Sequence, residues 1–148
     1  MESELRELEK VLELDPENVE VMVELASLYG EEGEIRKALD LLDQALAIDP
    51  EHAAAHYNVG VCYLMVLINE LDASEIWEEK TDDEECFELA TIAFQRALEI
   101  EPDLYEAHNN LGTLYALRNE DDQAREHWEL SLQLNPDQPD IQDDLASL

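Results

Sequence analysis

Residues 106–137, EAHNNLGTLYALRNEDDQAREHWELSLQLNPD, read as two amphipathic helices followed by a stop. In the first half Ala107, Leu111, Leu114 and Tyr115 recur at the spacing that places side chains on one helical face. Ala124, Trp128, Ser131 and Leu132 do the same in the second half. Asn135-Pro136 then closes the pair, because proline lacks the N–H that would continue a helix. No stretch alternates apolar and polar residues over a useful length, so strands are not expected. The design recurs upstream. Asp15-Pro16, Asp49-Pro50 and Glu101-Pro102 each follow an apolar residue, and the four proline marks lie 34, 52 and 34 residues apart. The middle interval is one period plus 18 residues, and a fixed period of this length points to a stacked array.

The units align position by position. Met22, Leu25, Ala26 and Tyr29, then Ala38, Leu42, Ala45 and Pro50, make up the first. His56, Val59, Gly60 and Tyr63, then Ala90, Phe94, Ala97 and Pro102, make up the second. His108, Leu111, Gly112, Tyr115, Ala124, Trp128, Ser131 and Pro136 make up the third. This pattern resembles the tetratricopeptide repeat, W-x2-L-G-x2-Y, then A-x3-F, then proline. The resemblance implies an all-α, right-handed α-solenoid of antiparallel helix pairs. It divides the chain into a half-repeat helix (1–15), repeats at 16–49, 50–101 and 102–135, and a capping helix (136–148). Gly30 and Gly33 are expected to stop the first helix of repeat one.

The extra residues fall inside repeat two. Eighteen residues make five helical turns, so they can lengthen both helices without changing their phase. Thr81-Asp82-Asp83-Glu84 has the form of a capping box, which predicts a new helix running to Ile100. An elongated hairpin around 66–84 is expected, its tip carrying Ile76 and Trp77 among acidic residues. The pair can fold back on Leu67, Ile68 or Leu71, or it can be displayed as a docking knob.

Composition narrows the function. Eight Lys and Arg face 39 Asp and Glu across 148 residues, a formal charge of −31. Nucleic-acid binding needs clustered cations, and an anionic membrane surface would repel this chain, so neither is an expected partner. No apolar run approaches the ~18 residues of a membrane span, and Met1-Glu2-Ser3-Glu4 lacks the layout of a signal peptide. A cytoplasmic location is the expectation. Cys62 and Cys86 lack metal-ligand spacing, and His52 with His56 lacks a third ligand, so no metal or other cofactor is expected. No phosphate loop or nucleophile elbow is present, and with so many carboxylates a close pair carries no information. The chain does not read as an enzyme.

The resemblance supplies the candidate site. It implies that the first helices of successive repeats line a concave groove holding a peptide. On that face lie Glu20, Val23, Glu24, Ser27 and Glu31 from repeat one, and Ala54, Tyr57, Asn58, Val61 and Met65 from repeat two. Repeat three adds Glu106, Asn109, Asn110, Thr113 and Leu117, and the cap adds Asp140, Asp143 and Asp144. Asn58 and Asn110 occupy equivalent positions, where an amide can pair with a peptide backbone or with a neighbouring helix. The family's chaperone-tail binders clamp a carboxylate with Lys and Arg on this face. Here the corresponding sites hold Val23, Glu106 and Asn110, with Ser27 in place of the clamp's other asparagine, so such a tail is not the expected ligand. Glu20, Glu24 and Glu106 favour a basic or amphipathic segment, with Tyr57, Val61 and Met65 as apolar contacts. The competing expectation is an assembly module that self-associates as a homo-oligomer, or docks in a complex, through the hairpin and the solenoid ends.

Overall fold

A computed structural model of the chain describes residues 2–69 and 83–148, which include eight helices. In chain order they are α1 (Glu2–Leu14), α2 (Val19–Glu31), α3 (Ile35–Ile48) and α4 (Ala53–Ile68). After them come α5 (Asp83–Ile100), α6 (Tyr105–Leu117), α7 (Asp121–Leu134) and α8 (Pro139–Ala146). The described residues contain no strand, and the fold is an all-α solenoid of antiparallel helix pairs. The most extensively packed pairs are α4 with α5, α6 with α7, and α2 with α3. Ile76, Trp77, Leu71 and Thr81 lie outside the described residues.

Local chemistry sets the helix ends. Pro16 cannot prolong α1, and two residues later Asn18 caps α2, its Oδ1 accepting from Val21 N at 3.2 Å. His52 caps α4 in the same way, its Nδ1 accepting from Ala55 N at 3.2 Å. The two inter-helix turns match as well. Gly33 and Asn119 hold equivalent positions and take φ of +81° and +57°, the left-handed region open to glycine and tolerated by asparagine. In each turn the next residue reaches back five positions, Glu34 N to Tyr29 O at 2.8 Å and Glu120 N to Tyr115 O at 3.0 Å. Gly30 differs from its expected role. It is still helical, the second-last residue of α2, and contributes its carbonyl, which accepts from Gly33 N at 3.0 Å, while Gly33 makes the turn itself.

The paired helices meet over small residues. A Cβ on Gly60 would come within 2.7 Å of the Phe94 ring, and one on Gly112 would overlap the Trp128 indole. At the equivalent place in the first pair, Ala26 faces the smaller Leu42, both buried. Side-chain volume is thus traded across the seam so that each pair keeps a similar spacing. Ala38, Ala90 and Ala124 are fully buried at matching positions.

The core is a row of clusters. One joins α2, α3 and α4 with Cys86 at the start of α5, the next α4, α5 and α6, and the last α7 and α8. Tyr63, Leu67 and Tyr115 each pack against two of them, so every pair leans only on its neighbours. Helices α4 and α5 span 16 and 18 residues, against 13 for α2 and α6 and 14 for α3 and α7. No helix among the described residues is long and apolar enough to cross a membrane.

Candidate functional site

Helices α2, α4 and α6 stand side by side, and α8 follows α6 through Gln138. The seams between them differ. Between α2 and α4 a pocket of about 220 Å³ opens, lined by Ala26, Ser27, Gly30, Glu31, Tyr57, Asn58, Val61, Cys62 and Met65. Six of the residues expected on the groove face are therefore in one place: Ser27, Glu31, Tyr57, Asn58, Val61 and Met65. Asn58 makes no side-chain hydrogen bond to a described residue, so its amide is open to a ligand.

The seam between α4 and α6 is closed. Asn110 Nδ2 donates to the Tyr57 hydroxyl at 3.1 Å, and the Tyr57 ring tilts against Phe94 with centroids 5.7 Å apart. Burial raises the Tyr57 pKa, outweighing the donation from Asn110, so the phenol stays neutral and accepts that bond at any ordinary pH. The two asparagines differ because their neighbours differ. The residue that stands to Asn58 as Tyr57 stands to Asn110 is Val23, which has no hydroxyl. Val23 is also 7% exposed and belongs to the core around α2 and α3, so it offers no surface to a ligand.

Other expected residues are already engaged. Glu20 accepts from His52 Nε2 at 2.9 Å, since the Nδ1 of that ring is the acceptor that caps α4. It sits in a separate acidic recess with Asp49, Glu51, Ala54 and Glu101. Asn109 Nδ2 reaches Gln138 at 3.4 Å, and its carbonyl accepts from Trp128 Nε1 at 3.1 Å and from the Thr113 hydroxyl at 3.3 Å. Glu24 is exposed on α2 and Glu106 half-buried on α6. His56 Nε2 bonds the Pro50 carbonyl at 2.8 Å, a structural role. Among the described residues no three His, Cys, Asp or Glu groups are placed to hold a metal.

Some residues of the site escape the sequence pattern. Ala26 lines the pocket although its motif position reads as a helix-packing site, and Gly30, expected as a helix stop, and Cys62 line it with no motif position on the groove face. Gly30 and Cys62 stand three and four residues from Ser27 and Asn58, and Ala26 four from Gly30, and that spacing is the available signal. Burial pushes the Cys62 thiol up to about 12, so it remains neutral. Gln138 bonds Ser131 and Asn135 and joins α8 to α6 and α7, a role that no periodicity announces. His108 and His127 approach Nδ1 to Nδ1 at 3.2 Å, and the Tyr115 ring stacks on His127 at 5.5 Å.

Cations are sorted by helix. Arg6 and Lys10 lie on α1, Arg36 and Lys37 on α3, Arg96 on α5, and Arg125 on α7, while Arg118 sits in a turn. Helices α2, α4, α6 and α8 contain no Lys or Arg.

Comparison with known proteins places this architecture. Family profiles described as TPR repeat and Tetratricopeptide repeat match residues 26–66 and 93–126, about half of the chain. The chain is 28% identical over 113 residues to Protein IFIT1 homolog B of Homo sapiens, a match covering 74% of this chain and 24% of that protein. It thus spans about a quarter of the length of that relative. A crystal structure of a thermophilic TPR protein in Thermus thermophilus superposes with a TM-score of 0.79 at 23% identity, covering 97% of this chain and 70% of that one. The first TPR of Spaghetti (RPAP3), bound to the HSP90 peptide SRMEEVD, superposes with a TM-score of 0.71 at 16% identity, covering 90% and 91%. Likeness at these identities shows a shared fold.

Proposed function

The chain belongs to the tetratricopeptide repeat family, whose members are generally non-enzymatic scaffolds for protein–protein interaction, and from that premise we propose that it holds a basic or basic-amphipathic segment of a partner protein along α2, α4 and α6. The observation that carries this reading is the sorting of cations. Every helix of the inner row lacks Lys and Arg, while α2 carries Glu20, Glu24 and Glu31, α6 carries Glu106, and α8 carries Asp140, Asp143 and Asp144. Between these acidic ends α4 contains no Asp, Glu, Lys or Arg, and presents Tyr57, Val61 and Met65. Acid flanking an apolar centre suits a segment whose basic residues flank apolar ones.

The RPAP3 domain holds SRMEEVD, a peptide with three acidic residues. On this chain the carboxylates of such a ligand would meet like charge and no Lys or Arg on α2, α4, α6 or α8, and nucleic acid would do no better. No catalytic step is proposed.

The test is anisotropy of a fluorescent peptide of alternating Leu and Lys against its Glu counterpart. At ~0.05 M NaCl the Lys peptide should bind, weaken steeply as screening shortens, and lose roughly tenfold when Glu24 and Glu106 are both changed to Lys. Trp77→Ala should leave it unchanged. Equal binding of the Glu peptide would contradict the reading. Loss on Trp77→Ala with no effect of the Glu changes would transfer the docking site to the hairpin.

A further inference from the structure

The pocket between α2 and α4 has an apolar floor and a charged rim. Ala26, Val61, Cys62 and Met65 supply the floor, and the neutral Cys62 thiol adds no charge to it. Asn58 and Glu31 stand at the rim. Glu31 forms no ion pair with a described residue. It lies in the last turn of α2, which holds no basic residue, so the negative end of the helix dipole adds to its field.

Each class of side chain meets this pocket differently. An aliphatic one covers the floor and leaves Glu31 unpaired. A short polar one leaves the floor wet, and an acidic one is repelled. A long stem ending in a cation answers both demands, its methylenes lying over Val61 and Met65 while its head remains at the solvent edge beside Glu31. We propose that this pocket takes the side chain of a lysine or arginine of the bound segment, an assignment that rests on the groove reading above and names its specificity site.

Acetyl-Ala-Lys-Ala-amide, its Arg, norleucine and Glu analogues, and the full chain labelled with nitrogen-15 provide the test. The Lys and Arg probes should shift amides of residues 26–31 and 57–65, with the Glu probe inert. Norleucine keeps the stem and loses the charge, so it should bind about threefold more weakly at low salt. Glu31→Gln should weaken the Lys probe by the same factor and leave norleucine unchanged, so the two losses do not add. Norleucine binding as well as Lys, or an indifferent Glu31→Gln, would overturn the assignment. So would a silent pocket in a chain that still binds the Leu–Lys peptide, and in each case the groove reading would survive. If neither probe nor peptide moved any amide of α2, α4 or α6, both would fall.

Discussion

The seams on either side of α4 are built from equivalent positions and end up opposite in character. Toward α6, Asn110 is held by Tyr57, and Tyr57 rests on Phe94. Toward α2, Asn58 has Val23 where a tyrosine would be needed, and a pocket opens beside it. One residue in the preceding pair decides whether an asparagine is structural or available. A repeat motif therefore fixes where an amide stands, and its neighbour one repeat earlier fixes what the amide can do.

The largest expected effect breaks the closed seam from beneath. Phe94 is fully buried and supports Tyr57, so Phe94→Ala should cost ~3–5 kcal/mol in urea unfolding. A loss under ~1 kcal/mol would mean that the Tyr57–Asn110 arrangement does not depend on it. Next in size is Gly60→Ala, which pushes a methyl group into that ring and should cost ~1–3 kcal/mol. Adding Phe94→Leu reproduces the Ala26–Leu42 pairing of the open side and should recover part of the loss. If the double change were merely additive, the volume trade between pairs would be wrong.

A gentler change removes only the hydroxyl. Tyr57→Phe should cost ~0.5–1.5 kcal/mol and leave Asn110 as free as Asn58. Its stability is best read from amide exchange in α4 and α6, which should rise while α3 stays protected.

The smallest effect is confined to the far end of the solenoid. Burial holds the His108 and His127 pKa values below their ordinary 6.5, the nearby His127 adding to the shift of His108. The unfolded chain then binds more protons than the folded one as pH falls through that value. Stability from these rings is complete above about 6.5 and lost progressively below it. Exchange in α6 and α7 should therefore quicken between pH 7 and pH 5.5 while α2 and α3 are spared, and His127→Phe should reduce the difference to the part that the burial of His108 supplies. Uniform quickening along the chain would show that acid acts through the carboxylates instead.

The fold was legible because its determinants are local and repeated. The proline marks, the small residues facing Phe94 and Trp128, and the helical stripes all follow from spacing. The stop at Gly33 was legible too, but Gly30 looked the same in the sequence and is still helical, lining the pocket from the last turn of α2. The candidate site was only partly legible. Helical phase brought Ser27, Tyr57, Asn58, Val61 and Met65 to one face, and they do share a pocket. Phase could not say that Val23 is swallowed by the core, that Glu20 is tied to His52, or that Asn109 is held by Gln138. Those outcomes depend on which side chain stands across the seam, which a pattern within one helix does not contain.

The most direct test sets the two asparagines against each other. A single labelled Leu–Lys peptide would be titrated into the unaltered chain, into Asn58→Ala and into Asn110→Ala. Loss of one or two ligand hydrogen bonds should weaken binding to Asn58→Ala by roughly 3–10-fold, while Asn110→Ala should bind almost as well as the unaltered chain and lose a little stability instead. Equal loss at both positions, or the larger loss at Asn110, would contradict the account.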